Sequence, residues 1–386
     1  MSERFDVAIA GGGPAGAAAA LTLRSHAPQL GVVLLEAGNF RRPKAGEVLP
    51  AQAGPVLEQL GVRAAFDAAA FAPALATAAM WAQPERIERH SLFSAAGAGW
   101  HLDRARFDRL LIDEAAVRGC DVRTGRSVRA AEALPAGWRL TTACAATIDA
   151  QHLIWATGRS WRLARFLDAR VRVHEERTAY IRTFETSAGD GTTVVEACPE
   201  GWWYTADLPA GRRVVACITD ARTAREHGLG TPDGWRAAMN ATKCLASSLG
   251  DDAVEIGAIV RPAGTVTLDP VCGPGWFAAG DTAFAADPLS SRGLLSAMRS
   301  GMFAAYATAD SAAGRAAMSR ARFAHHAAAD FGAYRASHVH HYAQVGRFAE
   351  TAFWQAPLSS APRDAGRQLK ASALVTPTGL EPVFSP

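Results

Sequence analysis

Lysine is almost missing from this 386-residue chain, occurring only at Lys44, Lys243 and Lys370, so nearly all of its 40 basic residues are arginine. With so much alanine beside it, this reads as the coding bias of a GC-rich genome and carries little functional weight. It does leave no lysine from Ala45 to Thr242. Long apolar runs are missing too. No stretch approaches the ~20 residues that a helix needs to cross a bilayer, and no charged-then-apolar leader follows Met1, so a cytoplasmic protein with no membrane partner is expected. The six cysteines, Cys120, Cys144, Cys198, Cys217, Cys244 and Cys272, form no CxxC pair. Their wide spacing suits buried thiols in a reducing compartment better than disulfides or zinc. A net charge of +3, with no basic tract interleaved with aromatics, sets nucleic acid aside as a partner.

What is present begins at once. Phe5 to Ala10 reads as a short buried strand, followed by Gly11, Gly12, Gly13, Pro14, Ala15 and Gly16 and then by an alanine-rich helix to about Ser25. Gly11, Gly13 and Gly16 carry a GxGxxG pattern. The first permits the tight turn, the second lets the backbone approach a pyrophosphate, and the third lets helix and strand pack closely. Pro14 and Ala15 open the helix, whose free N–H groups face the phosphates. A second strand, Val32 to Leu35, ends in Glu36, where an acid should accept from ribose hydroxyls. A lone glycine pattern is weak; strand, glycines, helix, strand and acid in register form a strong dinucleotide signal.

The far end of the chain identifies the dinucleotide. Gly275 to Ala279 reads as a buried strand ended by Gly280 and Asp281. The segment Asp287-Pro288-Leu289-Ser290-Ser291-Arg292-Gly293-Leu294 then leads into a helix with Leu295, Met298 and Met302 at helical spacing. This pattern resembles the Gly-Asp motif of the p-hydroxybenzoate-hydroxylase-like flavoproteins and implies FAD. The resemblance places Asp281 on the ribityl hydroxyls and the Gly293 and Leu294 amides at the flavin O2 side, where a helix N-terminus favours negative charge. Leu153 to Arg159 is similar to that superfamily's crossover strand running into Ala-Thr-Gly.

Further segments resemble the tryptophan-halogenase-like branch. They are Lys44-Ala45-Gly46-Glu47-Val48-Leu49-Pro50, then Gly99 to Arg104 with Phe107-Asp108, the strand from Glu196 through Tyr204 to Pro209, and Arg347-Phe348 with Phe353-Trp354. That branch includes halogenases, monooxygenases and maturation flavoproteins of quinone-cofactor enzymes. The resemblance implies that Arg104 contacts FAD; Arg42 is counted with the cofactor-binding residues. Glu47, His101 and Pro288 are the catalytic candidates. Bland readings stand beside two of these, a solvated helix-start charge for Arg104 and a loop carboxylate for Glu47, while His101 is a candidate by its place in the motif. On a strand, Trp202 and Tyr204 share one face and Trp203 takes the other, so the first two form either a substrate wall or part of the core. The histidines at 325, 326, 338, 340 and 341 have no acidic or cysteine partner at metal-ligand spacing, so no metal is expected.

Halogenases of the branch use an active-site lysine some tens of residues after the Gly-Glu loop. None lies there, and Gly201-Trp202-Trp203-Tyr204 does not fit their tryptophan signature. Arginine, always protonated and planar, does not replace a lysine amine. The expectation is therefore an FAD-dependent monooxygenase, hydroxylating an aromatic ring of the tryptophan or indole type through a flavin C4a-hydroperoxide. Its substrate is a small molecule or is borne on a protein or peptide. No second glycine-rich unit marks a nicotinamide site, so electrons come from docked NAD(P)H or a separate flavin reductase. The alternatives are a maturation factor modifying a residue of a partner protein, and an FAD-dependent reductase or dehydrogenase.

The expected fold is α/β. A doubly wound Rossmann-like FAD domain (1–75, 98–168 and 262–305) carries an inserted antiparallel-sheet substrate domain (76–97 and 169–261). A helical C-terminal region (306–356) and a tail (357–386), expected to be mobile, follow.

Overall fold

The computed structural model describes residues 2–40, 44, 48–355 and 363–364. Arg42, Glu47 and most of the tail lie outside them. Strand β1 (Glu3–Ala10) alternates nothing: its last four residues, Val7 to Ala10, are wholly buried, as in a parallel strand covered on both faces. It leads through the glycine turn into α1 (Pro14–His26), which starts on a proline and is buried along nearly its whole length. Strand β2 (Val32–Leu35) lies parallel on one side of β1, followed by Asp121–Arg123. On the other side lies the strand Thr147–Trp155, then Trp276–Ala278, both parallel to it. The chain thus leaves β1 in one direction and returns on the other. The ends of three strands, Ala10, Leu35 and Trp155, fall level at this reversal. A crevice opens there, at the topological switch point where doubly wound sheets bind ligands.

A seven-stranded sheet stands over that crevice, built from Ala76–Met80, Ile87–His90, Thr178–Glu185, Thr192–Cys198, Gly201–Leu208, Arg212–Thr219 and Val254–Pro262. It is antiparallel but for one pair, since Thr192–Cys198 runs parallel to Ala76–Met80. Arg170–Val173, expected in this sheet, instead pairs with Val266–Asp269 in a separate small sheet. The reason is local: the chain turns away at His174 and Glu175, whose backbone N–H groups both donate to Thr265 O.

Two long helices close the structure, labelled α2 (Gly293–Asp310) and α3 (Ala316–Ala343). Helix α2 buries Leu294, Leu295, Met298 and Met302 in the core that α1 also fills. Among the described residues no helix is long and apolar enough to cross a membrane.

Candidate functional site

A cavity of about 590 Å³ runs from the glycine turn to the underside of the seven-stranded sheet. The three glycines serve different ends. A side chain on Gly11, at φ 107°, would place its Cβ 2.2 Å from Ala156 O, and one on Gly16 would sit 1.9 Å from Gly11 O. Those two are demanded by the protein's own packing. At Gly13 a Cβ would meet no protein atom within 4 Å, and Gly13 lines the cavity. The space it leaves is therefore space for a ligand. No side chain caps α1, so its first N–H groups remain available to a pyrophosphate. Pro14 and Ala15 line the same end. Glu36 lines it too, with Oε2 accepting from Gly12 N at 2.6 Å and Oε1 from Gly38 N at 2.7 Å; a carboxylate keeps further lone pairs for hydroxyl donors.

The middle of the cavity is set by charge. Asp108, wholly buried, receives Arg104 (Nε–Oδ1 3.2 Å) and Lys44 (Nζ–Oδ2 2.8 Å), and all three line the wall. Asp281 is 42% exposed and faces Arg159, Nε–Oδ2 3.5 Å. Arg159 also donates to Gly264 O and Ala286 O, each at 2.8 Å, which ties the crossover strand to the Asp281–Pro288 segment. Gly280 underlies this turn but lines a neighbouring cavity rather than this one. Beyond Pro288 the backbone enters the left-handed region at Ser291, φ 47°, and then starts α2 at Gly293 without a side-chain cap. Gly293 and Leu294 both reach the cavity, so uncapped donors point at whatever lies in it.

The far end is aromatic. Trp202 and Tyr204 line the cavity while Trp203 packs on the opposite side of the sheet with Trp235, at 5.2 Å between ring centroids. Strand alternation therefore holds, and Trp202 belongs to both core and wall. Its Nε1 donates to Tyr342 Oη at 2.9 Å.

Two sequence expectations require correction. His101 does not line the cavity. The residue is 1% exposed, and its ring contacts Thr193 Oγ1 at 3.2 Å and is held below the usual imidazole pKa by burial. Thr193, not His101, reaches the lining. The strand Gly99–His101 pairs with Val48–Leu49, and its pleat turns His101 inward. His338, expected to lack acidic partners, has two. Its Nε2 lies 3.5 Å from Glu175 Oε2 and 3.7 Å from Asp287 Oδ2, residues 163 and 51 positions away that no spacing rule connects. Sequence reasoning also passed over Lys44, Asp108, Arg159 and Tyr342 as site residues. Lys44, Asp108 and Arg159 sit inside segments already singled out, so only their direction was missing.

A glycine turn open only where a ligand needs room, two uncapped helix starts and a half-exposed carboxylate on the wall between them fit a dinucleotide-binding flavoprotein. The chain belongs to the FAD binding domain family, which it matches over residues 4–333. It is an FAD-dependent oxidoreductase, similar to flavin halogenases among others. It is 29% identical over 307 residues to the putative FAD-dependent oxidoreductase LodB of Marinomonas mediterranea, covering 77% of this chain and 83% of that protein. A tryptophan 2-halogenase of Chondromyces crocatus is 26% identical over 352 residues, covering 82% of this chain and 63% of that protein. Among solved structures, the myxobacterial chondrochloren halogenase CndH superposes with a TM-score of 0.82 at 21% identity, over 92% of this chain and 85% of that one. The peptidyl tryptophan dihydroxylase QhpG superposes with a TM-score of 0.75 at 23% identity, over 91% and 78%. At these identities the superpositions bear on the fold.

Proposed function

We propose that this protein is a monooxygenase that hydroxylates an aromatic substrate of the indole type. The observation that carries the reading is the lining of the cavity. An FAD-fitting crevice ends under an aromatic wall, and the only lysine lining it among the described residues, Lys44, is held by the buried Asp108 carboxylate. An amine so engaged is a poor capture site for an oxidised halide, while the wall excludes water as oxygen insertion demands. FAD, when bound, supplies the two-electron reduction and oxygen activation. The chain's own residues do the rest. Gly13, Pro14 and the start of α1 would receive the pyrophosphate, and Asp281 would accept from the ribityl hydroxyls. The Gly293 and Leu294 N–H groups favour negative charge at the reduced ring, and Pro288 shapes the turn that presents them. Trp202, Tyr204, Ile181 and Ile218 close an apolar chamber around the substrate ring.

A peptide-borne substrate is favoured over a free one by two relatives whose names specify carried rings, the peptidyl tryptophan dihydroxylase and a peptidyl-carrier-bound pyrrole chlorinase. Electrons then come from NAD(P)H or a separate reductase. The test supplies reduced FAD, labelled oxygen, chloride or bromide, and a panel of free and peptide-borne indoles. One labelled oxygen atom in the product and no halogen is the expected result. Halogenated product would overturn the choice of chemistry, and flavin turnover with no oxygen in the product would favour a reductase.

A further inference from the structure

Beside the aromatic wall lies a cluster that the oxygen chemistry does not use, although one of its members, Asp287, also borders the cavity. Glu175, Asp287 and His338 have side chains at most 5% exposed, and one donor atom from each lies within 4.8 Å of the others. Neither ring nitrogen of His338 makes a hydrogen bond. A buried imidazole aimed at two carboxylates without one is an incomplete arrangement, since buried polar groups are otherwise satisfied. The other titratable groups facing it are Arg177, Tyr334 and Tyr342. Arg177 Nε lies 3.1 Å from Glu175 Oε1, with its guanidinium 4.2 Å from the centre of the Phe353 ring. Tyr334 Oη accepts from Asp287 N at 3.0 Å and meets Thr265 Oγ1 at 2.7 Å. Tyr342 stacks on His338 at 4.2 Å and donates to Asp287 Oδ2 at 2.9 Å.

Charge decides what completes the cluster. Two carboxylates against one guanidinium leave a single uncompensated negative charge on buried side chains, which is unfavourable. One proton neutralises it. A divalent cation in the same place would leave a net positive charge instead. Burial, and after it the Asp287 carboxylate, push the Glu175 pKa up, in keeping with a retained proton.

We propose that Glu175, His338 and Asp287 share one buried proton, and that this proton holds the cavity wall through the hydrogen bonds Asp287–Tyr342–Trp202. The same Asp287 fixes the turn before the start of α2, since its Oδ1 accepts from Leu289 N at 2.8 Å. Glu175 and His338 are thus positioning residues, set beside both the aromatic wall and the helix start that face the cavity. When the proton leaves for solvent, Asp287 gains an uncompensated like-charged neighbour, and Tyr342 and Trp202 shift. The inference needs Trp202 to be a wall residue but no particular reaction.

The test uses the FAD-loaded full chain without substrate, with tryptophan near-ultraviolet circular dichroism and thermal stability followed between about pH 5 and 9. A group whose folded pKa is raised holds its proton more tightly in the native state. Its contribution to stability is therefore complete below the ordinary carboxylate range and lost as pH rises through the raised value. Wild type should show one single-proton transition in both signals, above the ordinary carboxylate range. Glu175→Gln should abolish it, and His338→Gln should move it, because the proton then rests on Glu175 alone. Tyr342→Phe, the mildest change, should keep the transition in stability and lose it in the tryptophan signal. An identical transition in wild type and Glu175→Gln overturns the proposal, as does none in wild type. Zinc or manganese raising the melting temperature of wild type but not of His338→Gln also overturns it, in favour of a metal site. If Glu175→Gln does not fold, the comparison of His338→Gln and Tyr342→Phe with wild type decides.

Discussion

Gly13 and Gly16 are separated by three positions and fail for opposite reasons when substituted. At Gly16 the intruding atom would meet the chain's own carbonyl, a clash that backbone cannot relieve cheaply. Gly16→Ala should therefore destabilise the protein with or without cofactor, by an amount on the order of 1–3 kcal/mol, as overpacking does. At Gly13 there is no protein atom to meet. Gly13→Val should fold with the melting temperature of the cofactor-free wild type yet purify colourless, because its branch fills the space of the pyrophosphate. A yellow Gly13→Val with full flavin content would show that the dinucleotide lies elsewhere. The sequence pattern announced both glycines as one motif; only the neighbouring atoms separate them.

The strand Gly201–Leu208 carries two jobs on its two faces, as its alternation requires. Trp203 packs on Trp235 and Phe184 lies beyond, while Trp202 and Tyr204 face the cavity. If the wall excludes water during oxygen transfer, Trp202→Ala and Tyr204→Ala should raise the fraction of reducing equivalents lost as hydrogen peroxide several-fold. Flavin affinity should change far less, since the glycine turn lies at the other end of the cavity. Comparable losses in both quantities would mean that these rings hold the cofactor and do not merely shield it. That Trp202 faces one way and Trp203 the other was legible in the sequence because strand geometry has period two. That Trp202 also bonds Tyr342, 140 residues on, was not.

At the scale of the molecule, the C-terminal region is tied to the seven-stranded sheet through few polar contacts and a ring cluster. Arg347 donates to Met80 O at 3.0 Å, to Ala197 O at 3.1 Å and also to Trp81 O, and Trp354 Nε1 donates to Cys198 O at 2.8 Å. Trp81 packs edge-on against Trp202, Tyr342 and Trp354. Arg347→Ala should cost about 1–2 kcal/mol, because its bonds are only partly buried, and should red-shift the tryptophan emission while leaving FAD bound. An unshifted emission with unchanged melting temperature would mean that the aromatic cluster holds the region without the arginine.

The sequence by itself determined the parts whose physics is local. These were the glycine turn between a buried strand and a helix, the acid ending the second strand, the Gly-Asp turn before α2 and the alternation of the aromatic strand. Each is governed by neighbours a few residues apart, so spacing suffices to find it. The tertiary structure alone decided which side chains converge. His101 sits within a recognisable motif yet turns into the core behind Thr193, because pairing with Val48–Leu49 sets its direction. Lys44 meets Asp108 across 64 positions, and His338 meets Glu175 across 163, because packing two helices and two sheets costs nothing extra for sequence distance once the chain has folded. Convergence of that kind leaves no periodicity and no motif, and so no trace in the order of the residues.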